Sequence, residues 1–314
     1  MGFEELLGNE RLRENLSRSI ERGRISHFYL ICGPKGAGKH TLARILSAAI
    51  LCNGQTKPCG SCNACRKVMG DTHPDMITVT DPEHKNVAVK IVREIRDDVF
   101  IRPNEGSHKI YIFPQELGVE GQNALLKVLE EPPAYGVFMI LTDNPEKLLP
   151  TIRSRCTELV LNALPQNLLR DALRKRYPQA EPAQIDAAVA RCGGYLGQAM
   201  ELMEEGAQDP HTEQFVKSFA NRDTIGLLQV LVPMEKWKRD QVIPTLERWV
   251  QKLNDALLYR SGISVVAADA QQLGLARSSQ EMMEAVNNLK KAITYAQSNV
   301  SVAAICGWLS WALR

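Results

Sequence analysis

The sequence lacks three features, each of which would define a class of protein. Its 38 Lys and Arg residues are balanced by 36 Asp and Glu residues, so the net charge is only +2. Proteins that grip DNA alone usually show a basic excess, which is missing here. No apolar run approaches the roughly 18–20 residues that span a membrane. The first ten residues are mixed and acidic, without the charged start and apolar core of a signal peptide. These absences predict a cytoplasmic protein with no membrane partner, and they leave room for a modest basic patch in a larger assembly.

The 314 residues are enough for two or three domains. Short apolar runs typical of buried parallel strands recur in the first half of the chain. These runs are Phe28 to Cys32, Met76 to Val79, Ile110 to Phe113, Val137 to Leu141 and Leu159 to Leu161. Helices predicted over 1–25, 41–51, 87–99 and 122–131 alternate with them, which indicates an α/β fold with a parallel sheet. After Leu164 the apolar pattern is helical throughout, with a break near Gly193-Gly194.

A glycine-rich loop follows the first predicted strand. Residues 33–40 (GPKGAGKH) match the phosphate-loop pattern G-x-x-x-x-G-K, and a predicted helix follows. The glycines let backbone N–H groups approach a polyphosphate, and the helix directs its positive end at it. The candidate nucleotide-binding residues are Gly33, Gly36, Gly38, Lys39, His40 and Thr41. The alternative is an empty loop that is retained for structure.

The parts that hydrolyse ATP are missing from this loop and from the third strand. His40 stands where a hydroxyl normally ligates Mg²⁺, a cation that prefers oxygen. Thr41 has a hydroxyl, but one helix step turns it about 100° away. The strand that normally ends in an Asp ligand is followed by Pro114-Gln115, and Glu116 is displaced by two positions. The usual hydrolysis chemistry therefore has no evident route.

Four cysteines lie within fourteen residues, in the pattern Cys52-x6-Cys59-x2-Cys62-x2-Cys65. Zinc takes four thiolates in a tetrahedron, and pairs separated by two residues let a turn direct both sulfurs inward. The spacing predicts a structural zinc. A redox dithiol and a metal-free thiol cluster are the alternatives, and a nucleic-acid-binding zinc knuckle would need interleaved aromatic residues that are missing. The other four cysteines are predicted to be buried thiols.

Three further stretches point to one family. They are residues 24–27 (RISH), residues 122–133 (QNALLKVLEEPP) and residues 142–156 (TDNPEKLLPTIRSRC). Together with the loop at Gly33 and the four-cysteine module, they resemble the bacterial clamp-loader ATPases of DNA polymerase III, in the AAA+ class. The resemblance is strong over residues 5–200 and architectural beyond.

The resemblance implies an architecture and a set of partners. An AAA+ α/β domain would span 1–162, with the zinc module inserted at 52–65. A small helical lid would span 163–208, and an all-helical collar for oligomerisation would span 209–314. The partners implied are the delta and gamma/tau subunits, the ring-shaped sliding clamp and, through the assembly, primer–template DNA. The implied function is to load the clamp in DNA replication.

Within this family the motor subunits hydrolyse ATP and the delta-prime subunit generally does not. The losses at His40, Pro114 and Gln115 make the chain similar to delta-prime. The lid arginine that reads the nucleotide in the family corresponds here to Gly197. ATP or ADP is therefore expected to bind weakly or not at all.

The stretch Ser154-Arg155-Cys156 is retained. The resemblance implies that Arg155 is an arginine finger, which acts in trans on the nucleotide of an adjacent subunit. A guanidinium there stabilises charge on the transferring phosphoryl group. A surface salt bridge is the alternative for Arg155. For the chain, the alternatives are an active gamma/tau-like ATPase that uses Thr41 and Glu116, and a stand-alone DNA-binding zinc protein, which the near-neutral charge disfavours.

Overall fold

The chain folds into two compact units. In a computed structural model, which describes residues 3–204, 210–262, 268–298 and 300–313, the first unit comprises residues 1–179 and 189–201. The second comprises residues 180–188 and 202–314. The predicted division into 1–162, 163–208 and 209–314 has different boundaries from these two units, and it stays a prediction. Its boundary at 208–209 lies outside the described residues.

The first unit is built on a five-stranded sheet in which all the paired strands are parallel. The strands are β1 (Phe28–Cys32), β2 (Met76–Thr78), β3 (Lys109–Phe113), β4 (Gly136–Thr142) and β5 (Thr157–Val160). Their order is β2-β3-β4-β1-β5, with Tyr29 beside Met139 and Ile110 beside Val137. Every residue of β1, β3 and β4 is buried, because helices cover both faces. The predicted parallel α/β fold is confirmed.

Helices connect the strands and continue after β5 to Glu204. They are α1 (Glu10–Glu21), α2 (Lys39–Leu51), α3 (Asn63–Met69), α4 (Val89–Asp98), α5 (Val119–Glu130), α6 (Pro150–Arg153), α7 (Gln166–Arg176), α8 (Pro182–Arg191) and α9 (Leu196–Glu204). Alternate strand residues face opposite sides of the sheet. Tyr29 and Ile31 join the core under α1 and α2, while Phe28 and Leu30 join the core under α4 and α5.

The single helix predicted over 1–25 is wrong. The structure has a short 3-10 helix at Phe3–Glu5 and then α1, which begins at Glu10. Between them Gly8 and Asn9 have φ of +59° and +49°, in the left-handed region. A right-handed helix cannot continue through two such residues. The break near Gly193-Gly194 is confirmed, since both glycines have positive φ.

The second unit is helical throughout its described residues. Its remaining helices are α10 (Pro210–Ala220), α11 (Thr224–Met234), α12 (Arg239–Arg260), α13 (Ala268–Ala276), α14 (Ser279–Gln297) and α15 (Val302–Ala312). Trp249 of α12 stacks on Phe215 with 4.1 Å between ring centroids, at the centre of this core. Among the described residues, we find no helix that combines the length and the apolar character needed to cross a membrane.

Candidate functional site

The phosphate loop lies where the sequence predicts it, between the carboxyl end of β1 and the first turn of α2. Gly36 and Gly38 have φ of +79° and +95°, a backbone conformation that only glycine adopts without strain. The carbonyl oxygen of Gly38 accepts the first helical hydrogen bond, from Leu42 N at 2.9 Å. The loop therefore has the strand–turn–helix form that a phosphate-binding loop requires.

Lys39, the residue that would neutralise a phosphate, is bonded to the loop itself. Its Nζ donates to the carbonyl oxygens of Gly33 at 2.5 Å and Pro34 at 3.0 Å. Burial lowers the pKa of Lys39, against the opposing effect of the Asp143 carboxylate. The ammonium group thus already has acceptors within the protein, which a bound triphosphate would have to replace.

The first turn of α9 lies directly on the phosphate loop. Gly197 N donates to Gly36 O at 2.9 Å, and Gln198 Nε2 donates to Lys35 O at 2.9 Å. An exposed ion pair joins Lys35 Nζ to Glu201 Oε1 at 3.1 Å. Gly197, which the sequence analysis expects at the position of a nucleotide-reading arginine, contacts the loop through its backbone.

His40 and Thr41 are the second and third residues of α2, and both are exposed. Desolvation and the positive charges of Lys39 and Arg44 lower the pKa of His40, so its imidazole is neutral at pH 7. A neutral imidazole is a poor ligand for Mg²⁺. Within the described ranges, the four cysteines are the one group of three or more His, Cys, Asp or Glu side chains that could hold a metal ion.

The polar side chains that follow β3 bond to residues outside the phosphate loop. Gln115 Oε1 accepts from Asp81 N at 2.8 Å, and its Nε2 donates to the carbonyl oxygens of Asp81, His84 and Lys85. Glu116 forms an ion pair with Lys147. Gln115 therefore holds the 81–85 segment in place, and the Glu116 carboxylate already has a cationic partner.

Arg155 lies just beyond the short helix α6, with its side chain 39% exposed. Its guanidinium donates to Thr151 O at 2.9 Å and to Glu130 Oε1 at 3.2 Å. Both acceptors are on the surface, so the guanidinium can exchange them for a ligand of a neighbouring molecule at little cost.

Gln122 is a residue that the sequence analysis did not single out. It is buried, and its Nε2 donates to Leu117 O at 2.8 Å and Lys147 O at 3.1 Å. Its Oε1 accepts from Leu149 N at 2.7 Å. Gln122 thus ties α5 to the segment that leads into α6 and Arg155. The sequence signal that could have identified it is a glutamine on the apolar, buried face of α5.

The four cysteines come together as the spacing predicts. Their sulfur atoms all lie within 4.8 Å of one another, with Cys59 Sγ 4.0 Å from Cys65 Sγ and Cys62 Sγ 3.9 Å from Cys52 Sγ. A tetrahedron with metal–sulfur bonds of about 2.3 Å has edges of about 3.8 Å. The cluster therefore has the size of a four-thiolate metal site.

Backbone N–H groups point at these sulfurs. Cys52 Sγ accepts from Gly54 N and Cys59 N at 3.3 Å, and Cys59 Sγ accepts from Cys62 N at 3.3 Å. The Cys62 and Ser61 donors lower the pKa of Cys59 to about 5. Such donors stabilise thiolate, the form that binds metal.

The four remaining cysteines follow the prediction of buried thiols, except that Cys156 is only half-buried. Burial raises the pKa of Cys32 and of Cys156 to about 12, and that of Cys306 to about 11. These thiols stay protonated and are poor nucleophiles.

The sequence matches known proteins over half to two thirds of its length. Residues 8–165 match the family described as DNA polymerase III, delta subunit. DNA polymerase III subunit gamma/tau of Mycobacterium tuberculosis (strain ATCC 25618 / H37Rv) is 35% identical over 221 residues, which are 67% of this chain and 38% of that protein. DNA polymerase III subunit tau of Escherichia coli (strain K12) is 32% identical over 211 residues, 65% of this chain and 32% of that protein. The chain thus spans well under half the length of these curated relatives.

The fold was also compared with solved structures. One match is a DNA polymerase III gamma subunit-related protein from Thermotoga maritima, with 19% sequence identity and a TM-score of 0.48. The matched region covers 96% of this chain and 99% of that protein's chain. The family assignment rests on the sequence matches alone.

The Gln115 contacts give a test of its structural role. In Gln115→Glu a carboxylate oxygen would replace Nε2 and face three carbonyl oxygens, so we expect the free energy of unfolding to fall by about 1–3 kcal/mol. Urea denaturation followed by circular dichroism measures this change. Asn123→Asp, which adds the same charge at an exposed site on α5, is the control and should have little effect. Equal stability of the two variants would contradict the assigned role of Gln115.

Proposed function

The chain belongs to the clamp-loader family of DNA polymerase III, in the AAA+ class, and on that premise we propose that it is the delta-prime-like subunit of a clamp loader. In this role it helps to load the sliding clamp onto primed DNA, and it does not hydrolyse ATP itself. One pairing carries the proposal. A loop without its magnesium ligand and catalytic acid coexists with an exposed Arg155 in the Ser-Arg-Cys stretch.

The state of the nucleotide site supports a passive subunit. In the proposed correspondence Pro114 and Gln115 replace the acidic residues, and Gln115 is bonded to the 81–85 segment. Lys39 is bonded to carbonyl oxygens of its own loop. We therefore propose that ATP or ADP binds weakly or not at all.

Arg155 has the chemistry of a group that acts on a neighbour. Its guanidinium donates to one backbone carbonyl and one exposed carboxylate. A phosphate group of the nucleotide bound to an adjacent subunit could replace both acceptors. We propose that it is the catalytic residue in trans for that subunit's ATPase, where it would stabilise charge on the transferring phosphoryl group.

The wider assignments belong to the same proposal. The AAA+ domain (1–162), lid (163–208) and collar (209–314) would assemble with delta and gamma/tau subunits in the cytoplasm. The clamp and primer–template DNA would contact this chain within that assembly. A near-neutral net charge agrees with a DNA role that depends on partners.

An active gamma/tau-like ATPase is the second candidate. The naming of the 35% identical relatives as gamma/tau favours it. Such an enzyme would have to use Thr41 and Glu116, and Glu116 is paired with Lys147.

The finger assignment predicts a kinetic effect. In a loader reconstituted with its other subunits, Arg155→Ala should lower the kcat of DNA-stimulated ATP turnover at the neighbouring site by about tenfold or more, with KM little changed. Arg155→Lys should be nearly as defective, because an ammonium cannot reproduce the planar fork.

Arg153→Ala is the matched control. It removes the same charge two residues away, where Arg153 pairs with Glu146 at 2.9 Å. Its turnover should equal that of the wild type. If Arg155→Ala also turned over at the wild-type rate, the finger assignment would be lost.

We further propose that the four cysteines hold a structural zinc. Cys52, Cys59, Cys62 and Cys65 would supply four thiolates, and a closed four-thiolate set leaves no open position for catalysis. Elemental analysis should find about one zinc per chain. Cys62→Ser should lose the metal, while Cys306→Ala, which alters a buried thiol in the second unit, should keep it. A metal-free preparation of full stability would rule out the zinc.

A further inference from the structure

Carbonyl groups in the first half of the phosphate loop accept hydrogen bonds from within the chain. Four successive carbonyl oxygens, of residues 33–36, each accept a hydrogen bond. Lys39 Nζ donates to the first two, Gln198 Nε2 to the third and Gly197 N to the fourth. The last two donors come from α9, which lies about 160 residues further along the chain.

The contact also serves α9. The first N–H groups of a helix have no partner within the helix. Gly197 is the second residue of α9, and its N–H finds such a partner in Gly36 O at 2.9 Å. The loop therefore supplies an acceptor for an unpaired N–H group of the helix, and the helix supplies donors for two carbonyl oxygens of the loop.

Two glycines set the closeness of this approach. A Cβ atom on Gly197 would lie 2.6 Å from Gly36 Cα and 2.9 Å from Gly36 O. A Cβ atom on Gly36 would lie 2.5 Å from Gln198 N. Real Cβ atoms essentially never come within 3.0 Å of other heavy atoms, and these obstacles are backbone rather than flexible side chain. Any side chain at position 197 would thus push α9 off the loop.

The remaining contact contributes little to this fit. The Lys35–Glu201 ion pair joins side chains that are 80% and 49% exposed, and solvent screens such pairs. The backbone bond, the Gln198 hydrogen bond and the glycine-to-glycine contact therefore hold α9 on the loop.

From these contacts we propose that the phosphate loop is a protein-binding surface whose occupant is the first turn of α9 of the same chain. The loop holds the lid closed without nucleotide. A triphosphate would need Lys39 to leave two carbonyl oxygens, so nucleotide binding and the docked arrangement compete. The role of this contact rests on the proposed function: in a clamp loader, it would give the assembly one subunit whose lid does not respond to ATP.

Hydrogen exchange measured by mass spectrometry tests the proposal on the full chain. In the wild type without nucleotide, the backbone amides of residues 36–41 and 197–199 should be protected, and MgATP should not change their rates. Gly197→Ala should speed exchange of these amides by about tenfold or more, because α9 can no longer dock.

Gly307→Ala is the matched control, since a Cβ atom there meets nothing within 4 Å. It should exchange as the wild type does. Gln198→Ala removes one hydrogen bond without a clash and should speed the same amides by a smaller factor. Circular dichroism shows whether each variant is folded, and should Gly197→Ala fail to fold, Gln198→Ala decides.

Two results would overturn the proposal. One is fast exchange of the loop amides in the wild type, with protection appearing only when MgATP is added. The other is equal exchange in the wild type, Gly197→Ala and Gln198→Ala. A docked α9 in a chain whose Arg155 has no effect on a reconstituted loader would instead refute the proposed function and leave this inference standing.

Discussion

The parallel order of the sheet is the constraint on which the rest of the first unit depends. With the strands in the order β2-β3-β4-β1-β5, the carboxyl ends of β1, β3 and β4 lie side by side at one edge. In open α/β sheets this edge is where ligands bind. It brings together the phosphate loop after β1, Gln115 after β3 and the segment after β4 that leads to Arg155, three stretches that are far apart in sequence.

The residues that we propose to stand at the hydrolysis positions make structural contacts in this chain. Gln115 holds the 81–85 segment, Glu116 pairs with Lys147, and Lys39 bonds to its own loop. Gly197 contacts Gly36 through its backbone. Arg155 pairs with Glu130, and this pair is about as exposed as the Glu116–Lys147 pair. These contacts connect the loop and the residues near it to other parts of the same chain.

Local patterns predicted what depends on local physics. The fully buried strands appear as unbroken apolar runs, and the x2 cysteine spacings place their sulfurs at metal-binding distances, because both follow from neighbouring residues. The helix over 1–25 failed at Gly8 and Asn9, where two left-handed residues override an apolar spacing that is otherwise helical. Gln122 and the Gly36–Gly197 contact were not predicted, because the partners of each come from distant parts of the chain. The sequence analysis treated Gly197 only as the absence of an arginine. The structure shows that Gly197 also makes a close contact with Gly36 that a side chain would block.

ATP turnover by the purified chain alone would distinguish a passive subunit from a motor subunit. With Mg²⁺ present, we expect wild-type protein and Lys39→Ala to hydrolyse ATP at the same background rate, because in the proposed assignment His40 stands where a hydroxyl would bind Mg²⁺ and Pro114-Gln115 stand where acidic residues would follow β3. Appreciable Mg²⁺-dependent turnover by the wild type, abolished by Lys39→Ala, would contradict it and make the chain a motor subunit.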